Sequence, residues 1–428
     1  MEVHMDIGLL IKQLRIQSGL TQKELLEGRY SPTYLSRIEN GNIQNPSDSF
    51  LMFIEGKFGV SSLELGLEDS QTKQEKKIKE TFFDFKKNGR LPQRDFLYLY
   101  THQSQSYSQE VYLQLQSLLI RYYLKINQMN EARILVERSH SLYEIQVEKS
   151  NTNSDLGYYL ESCGKFYYET QNFHEAEAYY LKAKEVTPYG EDLSNLFFNL
   201  SIAKERTSPK TNSSLYYSEQ AYQIFSQLHL EYKQFLTKFI MGMQYEQAGN
   251  MRKSEELLNQ VKTYMLEKDD FEIIAKVEYN LGYNKWKQKE YSNALEHYYN
   301  DLDYLDKLSG INAKDSKFYA YRDLAKIFLD LNDFAKVSQY IEKGLEVIVF
   351  DNRPYSHNEI LSVRAKLYYR KGETERYRRL MEKIIDNCIE KHLETLVKEL
   401  SSELGEHYYT NGKYKKASKY LMNLKTFN

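Results

Sequence analysis

Residues 278–305 read EYNLGYNKWKQKEYSNALEHYYNDLDYL, and this stretch decides the fold. Asn280-Leu281-Gly282 lies in one apolar-periodic run; Tyr291, Ala294 and Tyr298 mark a second. The pattern predicts two antiparallel helices. Gly and Ala stand where the backbones cross, and aromatic rings fill the spaces beside the crossing. A pair of this kind cannot bury its apolar stripes alone and must stack on neighbours.

The small residue of the second helix serves as a ruler for the rest of the chain. Equivalent positions are Ala132, Ala176, Ser214, Ser254, Ala294, Val337, Tyr377 and Ala417. They recur about every 40 residues, more than the roughly 34 of standard tetratricopeptide repeats, so helices or loops must be longer. Eight repeats are legible, with room for a ninth starting in the preceding segment. The best matches are 158–186, 278–305 and 404–421, while Val337 and Tyr377 mark two repeats expected to be distorted. Breaks at 207–213, 351–356 and Asn411-Gly412 fit loops between helices. Most of the 39 tyrosines, among them Tyr167, Tyr180, Tyr298 and Tyr408, fall at packing positions and read as core fillers.

Composition suits a folded, water-exposed chain of 428 residues, with 41% apolar and 28% charged side chains and only 6 prolines. No apolar run is long enough for a membrane span and the N-terminus lacks signal-peptide features. Cys163 and Cys388 each sit in an apolar helical pattern, which favours buried thiols in a reducing compartment over a disulfide.

The first 70 residues differ from the rest. Ile7, Leu10, Ile11 and Leu14 share a helical face. Thr21-Gln22-Lys23-Glu24 is a capping box that opens a short second helix. Ser31-Pro32 restarts the chain as N-cap and first helical residue, and Gly41 ends that third helix. Apolar residues from Phe50 to Phe58 predict a fourth helix, and 61–67 a fifth. LTQKEL followed by SPTYLSRIENG resembles the phage-repressor class of helix-turn-helix domains. That resemblance implies a third helix in the major groove braced by the second. Gln22 would then hold a phosphate, with Lys23 and Arg29 supplying local positive charge. Thr33, Tyr34, Ser36 and Arg37 would read base edges, and Asn40 and Asn42 would touch the backbone. Arg15 and Glu39 match a structural salt bridge of that class. Two departures stand out. The turn is about one residue short, and Pro32 occupies a place where some members carry an adenine-reading Gln. Residues 1–70 also hold six basic against ten acidic side chains, whereas 71–94 hold eight basic against three acidic.

Residues 71–105 read as a linker helix: Ile78, Phe82 and Phe85 line one side, a lysine run forms a solvated face, and Gly89 to Pro92 breaks it. Asp69-Ser70-Gln71 reads as a polar hinge. The chain is therefore expected to be all-α, with a five-helix repressor-type helix-turn-helix domain (1–70), the linker (71–105), and a right-handed superhelix of tetratricopeptide repeats (106–428).

A repeat array of this kind offers a concave trough lined by its first helices, suited to peptides. Asn199 in FFNLS and Asn280 in YNLG occupy the same place in their repeats. An amide there can donate to and accept from an extended peptide backbone. Arg121, Lys165, Lys276, Arg322 and Lys326 fall at inner-face registers and could hold carboxylates. Tyr283 and Trp286 are candidate groove-lining aromatics. No metal-ligand spacing, phosphate loop, dinucleotide fingerprint or nucleophile set appears, so no catalytic residue, metal or cofactor is expected and the chain is not read as an enzyme.

A repressor-type head followed by a tetratricopeptide array resembles the RRNPP family of peptide-pheromone-responsive regulators (Rap, Rgg, NprR, PlcR, PrgX), most of all its NprR and PlcR branches. The resemblance spans the chain. It implies a cytoplasmic quorum-sensing transcription regulator that binds a short re-imported signalling peptide in the trough. Peptide binding would change the oligomer, a homodimer or larger, and with it the binding of a double-stranded DNA operator. Asn199 and Asn280 correspond to the family's peptide-clamping asparagines. The alternative it implies is an array that binds or sequesters a phosphorelay response regulator under peptide control.

Overall fold

The computed structural model describes residues 7–43, 46–58, 70–103, 105–144, 154–208, 212–308, 311–348 and 353–426. All regular structure in them is helical. The chain divides into two compact units, 1–234 and 235–428.

The first unit opens with α1 (Ile7–Gln17), α2 (Gln22–Leu26), α3 (Pro32–Glu39) and α4 (Asp48–Phe58). The local chemistry explains their bounds. Thr21 Oγ1 accepts from the Glu24 N–H while Glu24 accepts from the Thr21 N–H at 2.7 Å, a closed capping box. Glu27 and Gly28 both take positive φ and reverse the chain in the short turn. Ser31 then caps α3 by accepting from the Tyr34 N–H at 3.1 Å, with Pro32 as the first helical residue. Leu25, Leu26, Leu35, Ile38 and Phe50 are fully buried between these helices. Arg15 clamps Glu39 through two bonds of 2.6 and 2.9 Å and also donates to the Leu20 carbonyl. The expected fifth helix, 61–67, and Asp69 of the hinge lie outside the described residues.

The head is packed onto the helices C-terminal to it. Leu14 of α1 joins the core formed by those helices, and Phe58 packs against that core and the head's own. Gln13 Nε2 donates to Gln128 Oε1 at 3.2 Å. From sequence Leu14 reads as an internal head residue; its outward apolar role is not visible in the periodicity.

α5 (Gln71–Asn88) and α6 (Gln93–His102) come next, separated by the break at Gly89, which caps α5 at φ 63°. Ile78, Phe82 and Phe85 are buried in the core of the first unit, so α5 is packed as part of the array. The lysine face is only partly solvated: Lys77, Lys79 and Lys86 pair with Asp95, Glu110 and Asp192.

Helix pairs then run to the end of the chain. The first unit holds α7 (Gln109–Lys125) with α8 (Met129–Glu144), α9 (Ser154–Glu169) with α10 (Phe173–Val186), and α11 (Glu191–Thr207) with α12 (Ser213–Gln227). α13 (Glu231–Gln247) spans the division between units and pairs with α14 (Met251–Leu266). The second unit continues with α15 (Phe271–Lys287) and α16 (Tyr291–Asp306), α17 (Ile311–Asp330) and α18 (Phe334–Glu346), α19 (Pro354–Arg370) and α20 (Thr374–Glu390), and α21 (Glu394–Thr410) and α22 (Tyr414–Thr426). Every ruler residue is buried in the second helix of its pair, Val337 and Tyr377 included. Tight turns within the pairs pass through left-handed backbone at Asn127, Gln171, Gly249, Lys289, Asn332, Gly372 and Gly412.

Close approach within a pair depends on a missing side chain. A Cβ built on Gly164 would lie 2.5 Å from the Tyr180 ring, and one on Gly282 would lie 3.2 Å from Tyr298. Gly242 and Gly405 stand at the same offset from Leu258 and Leu421. The glycine of the asparagine-leucine-glycine signature is thus the seat of the large residue on the second helix. Cys163 and Cys388 are buried free thiols, and burial pushes them up to about 12 and about 11.

Candidate functional site

In the head, α3 presents Thr33, Arg37 and Asn40 to solvent, with Lys23 and Arg29 exposed nearby on α2 and the turn. Ser36 is half-buried and accepts from Asn40 Nδ2 at 3.3 Å. Asn42 is exposed, its N–H bound to the Arg37 carbonyl. Two of the sequence-based candidates are tied into the scaffold. Tyr34 stacks on Tyr30 and meets the edge of Phe50, and its hydroxyl accepts from the Ser47 N–H. Gln22 donates its amide to Glu39 at 2.7 Å, completing the Arg15–Glu39 pair. The side chains left open for a nucleic acid are therefore polar or basic and lie on α3 and its approach.

The first unit also contains a cleft of about 880 Å³. Its walls come from α5, α7, α9, α11 and the start of α13, the first helices of successive pairs. Arg121, Lys165 and Asn199, three residues singled out from register alone, all line it. At its floor Arg121 lies 3.9 Å above the Tyr158 ring centroid. It donates to Ser162 Oγ at 2.7 Å and to Glu161 Oε2 at 2.9 Å. Burial works against the guanidinium charge, but Glu161 outweighs it and holds the Arg121 pKa up. The other Glu161 oxygen accepts from Asn199 Nδ2 at 2.7 Å. Glu161 is 5% exposed and joins the two predicted residues, yet sequence reasoning missed it because a lone inner-register glutamate carries no pattern. Phe83, Tyr189 and Phe198 add apolar lining.

Lys165 differs from Arg121. Its side chain keeps contact with cleft solvent, and it makes no ion pair or hydrogen bond among the described residues. Burial by the cleft walls, with the Arg121 charge beside it, pulls its pKa below the ordinary lysine value.

The other candidates lie in the second unit. Arg322 is fully engaged: it forks onto Asp323 at 2.7 and 2.8 Å, reaches Glu359 at 3.0 Å and donates to the Tyr279 hydroxyl at 2.9 Å. Lys326 sits 3.6 Å from both Asp323 and Glu359. Lys276 pairs with Glu272 at 2.6 Å. The chain's own carboxylates thus occupy the three cations expected to hold a ligand's. Asn280 donates to the Lys276 carbonyl one turn back at 2.7 Å. Trp286 Nε1 donates to Asp330 at 3.0 Å, with its ring against Tyr283.

Known proteins share parts of this architecture. A helix-turn-helix family model matches residues 11–65. The transcriptional activator NprA of Geobacillus stearothermophilus is 21% identical over 330 residues, covering 76% of this chain and 78% of NprA. The fold is shared with the apo form of the quorum sensor NprR from B. thuringiensis, at TM-score 0.64 and 13% identity over 84% of this chain and 99% of that one. It is shared also with a Rap protein complexed with competence and sporulation factor, at TM-score 0.59 and 15% identity over 84% and 98% of the two chains. No helix among the described residues is long and apolar enough to cross a membrane. The chain thus joins a helix-turn-helix head to an array of helix pairs, is similar to NprA over most of its length, and shares its fold with NprR and a Rap protein.

Proposed function

We propose that this protein is a quorum-sensing transcription regulator whose α5–α7–α9–α11 cleft binds a short signalling peptide, and that occupancy changes its oligomeric state and its grip on operator DNA. The observation that carries the reading is the cleft itself, in which a cation, an amide and aromatic rings from consecutive pairs converge. Asn199 spends its amide nitrogen on Glu161, leaving its carbonyl oxygen to accept a peptide N–H. Support also comes from the solved structure of NprR in complex with its cognate peptide NprX, which shares the fold at TM-score 0.58.

The wall formed by α5 gives a route to the head. Phe83, Lys86 and Lys87 of α5 line the cleft, and the head packs on the same core. A ligand can shift an equilibrium only through its differential affinity for two states. A peptide that moves α5 against α7 would bias the head directly, while a change along the stacked pairs would bias the oligomer. The experiment is mass spectrometry of peptide retained on the full chain from its native host. A short peptide displaced by cleft substitutions supports the reading, and retention unaffected by them contradicts it.

In DNA binding, Arg37 is the residue to remove. Arg37→Ala is expected to cost about 1–3 kcal/mol at one operator position if the guanidinium reads a base edge. Gln22→Ala should act through the Arg15–Glu39 scaffold instead and weaken all sequences alike. Footprinting and binding isotherms on matched operators separate the two. An Arg37→Ala protein with unchanged affinity and footprint would take Arg37 off the reading face.

A further inference from the structure

The cleft's internal ion pairs account for most of its charge. Lys86 bonds Asp192 at 2.6 Å, Arg121 bonds Glu161 at 2.9 Å and Lys233 bonds Glu191 at 2.8 Å. Lys87, Lys125 and Lys165 remain, against Glu169. Lys125 makes only a 3.5 Å contact with the Gly89 carbonyl, and Lys87 and Lys165 have no ion pair or hydrogen bond among the described residues. The unneutralised charge is therefore positive. Of the three, Lys165 stands one helical turn from Glu161, exposed to the cleft.

We infer that the cleft selects a peptide bearing a carboxylate, from an Asp or Glu side chain or the free C-terminus, and that Lys165 is the specificity-determining residue that receives it. Glu161 cannot repel such a group strongly, because Arg121 and Asn199 hold both its oxygens. Arg121 cannot receive it, because Glu161 and Ser162 occupy its donors on that side. Lys165, exposed to the cleft beside this cluster, offers an ammonium with no ion pair or hydrogen bond among the described residues and can form a charge-assisted bond to a ligand carboxylate. The aromatic lining takes the neighbouring apolar residues of the peptide. The lowered Lys165 pKa also fixes a pH dependence. A bound carboxylate raises that pKa, so binding is fully favoured while free Lys165 is protonated. It weakens as pH climbs through the pKa of the complex.

This inference rests on the peptide reading above, and its test separates the two. Full-length protein is immobilised and exposed to two random libraries of short peptides, one with free C-terminal carboxylates and one amidated, and retained peptides are sequenced. The expected result is enrichment of peptides carrying Asp, Glu or a free C-terminus. Lys165→Met should then weaken the best of them by roughly 10- to 100-fold. The Lys165 side chain lies outside the core, so the variant should keep its melting temperature. Equal enrichment of amidated peptides without Asp or Glu would overturn the charge assignment and leave the peptide reading standing. Enrichment of nothing from either library would overturn both.

Discussion

Replacing Arg322 with methionine is expected to cost the 235–428 unit about 3–5 kcal/mol, because it strands a buried carboxylate. Asp323 is 1% exposed and receives two guanidinium bonds from Arg322 and one from the Tyr279 hydroxyl. Burial alone would raise the Asp323 pKa; Arg322, with Lys326 and Tyr279 behind it, drives the net shift downward. Without Arg322 the burial cost returns, since the Lys326 ammonium is 3.6 Å away and cannot replace a forked contact. Denaturant unfolding measures the loss. Arg322→Lys should recover little of it, whereas Arg322→Met combined with Asp323→Leu should recover most. An unchanged unfolding midpoint for Arg322→Met would mean that the cluster does not hold the repeats together.

Arg121→Met should cost the first unit a similar amount, about 3–5 kcal/mol, for the same reason. Here Glu161 loses its guanidinium and keeps only the Asn199 amide. The guanidinium's contact with the Tyr158 ring is lost as well. The two arginines differ in a second readout. Arg121→Met leaves a bare carboxylate in the floor of the cleft, so peptide affinity should fall along with stability. Arg322→Met should lower stability and leave peptide affinity unchanged at temperatures where the chain remains folded. Calorimetric titration beside the unfolding curves distinguishes these outcomes. A peptide affinity lost with Arg322 and kept with Arg121 would move the binding site to the second unit.

The contrast shows what the sequence could and could not carry. The head was legible because its signals are local: Thr21 with Glu24, and Ser31 with Pro32, fix helix starts within four residues. The array was legible because one second-helix position, Ala or Ser in most pairs, recurs at a steady interval and is buried each time, Val337 and Tyr377 included. The fates of the inner-register cations were not legible. Arg121, Lys165 and Arg322 share a register, but Arg121 is satisfied by a carboxylate a full repeat away, and Arg322 by adjacent Asp323 together with one from the next repeat. Glu161 stands forty positions from Arg121, and Glu359 thirty-seven from Arg322. Only stacking decides whether those groups meet. Leu14 escaped for a related reason: a helix with apolar residues on two faces does not reveal which face has a second partner.

In the proposed regulation, peptide in the cleft and operator on α3 are coupled through one protein. Coupling is reciprocal, so a peptide that changes operator affinity by some factor must have its own affinity changed by the same factor. The direct measurement is peptide affinity by titration in the presence and absence of saturating operator, with mass by light scattering in each state. The expected result is a shift of about 5- to 150-fold in peptide affinity, accompanied by a change in mass or in the separation of the heads. Identical peptide affinity and identical mass with and without operator would contradict it, and the peptide would then have to control a partner protein instead.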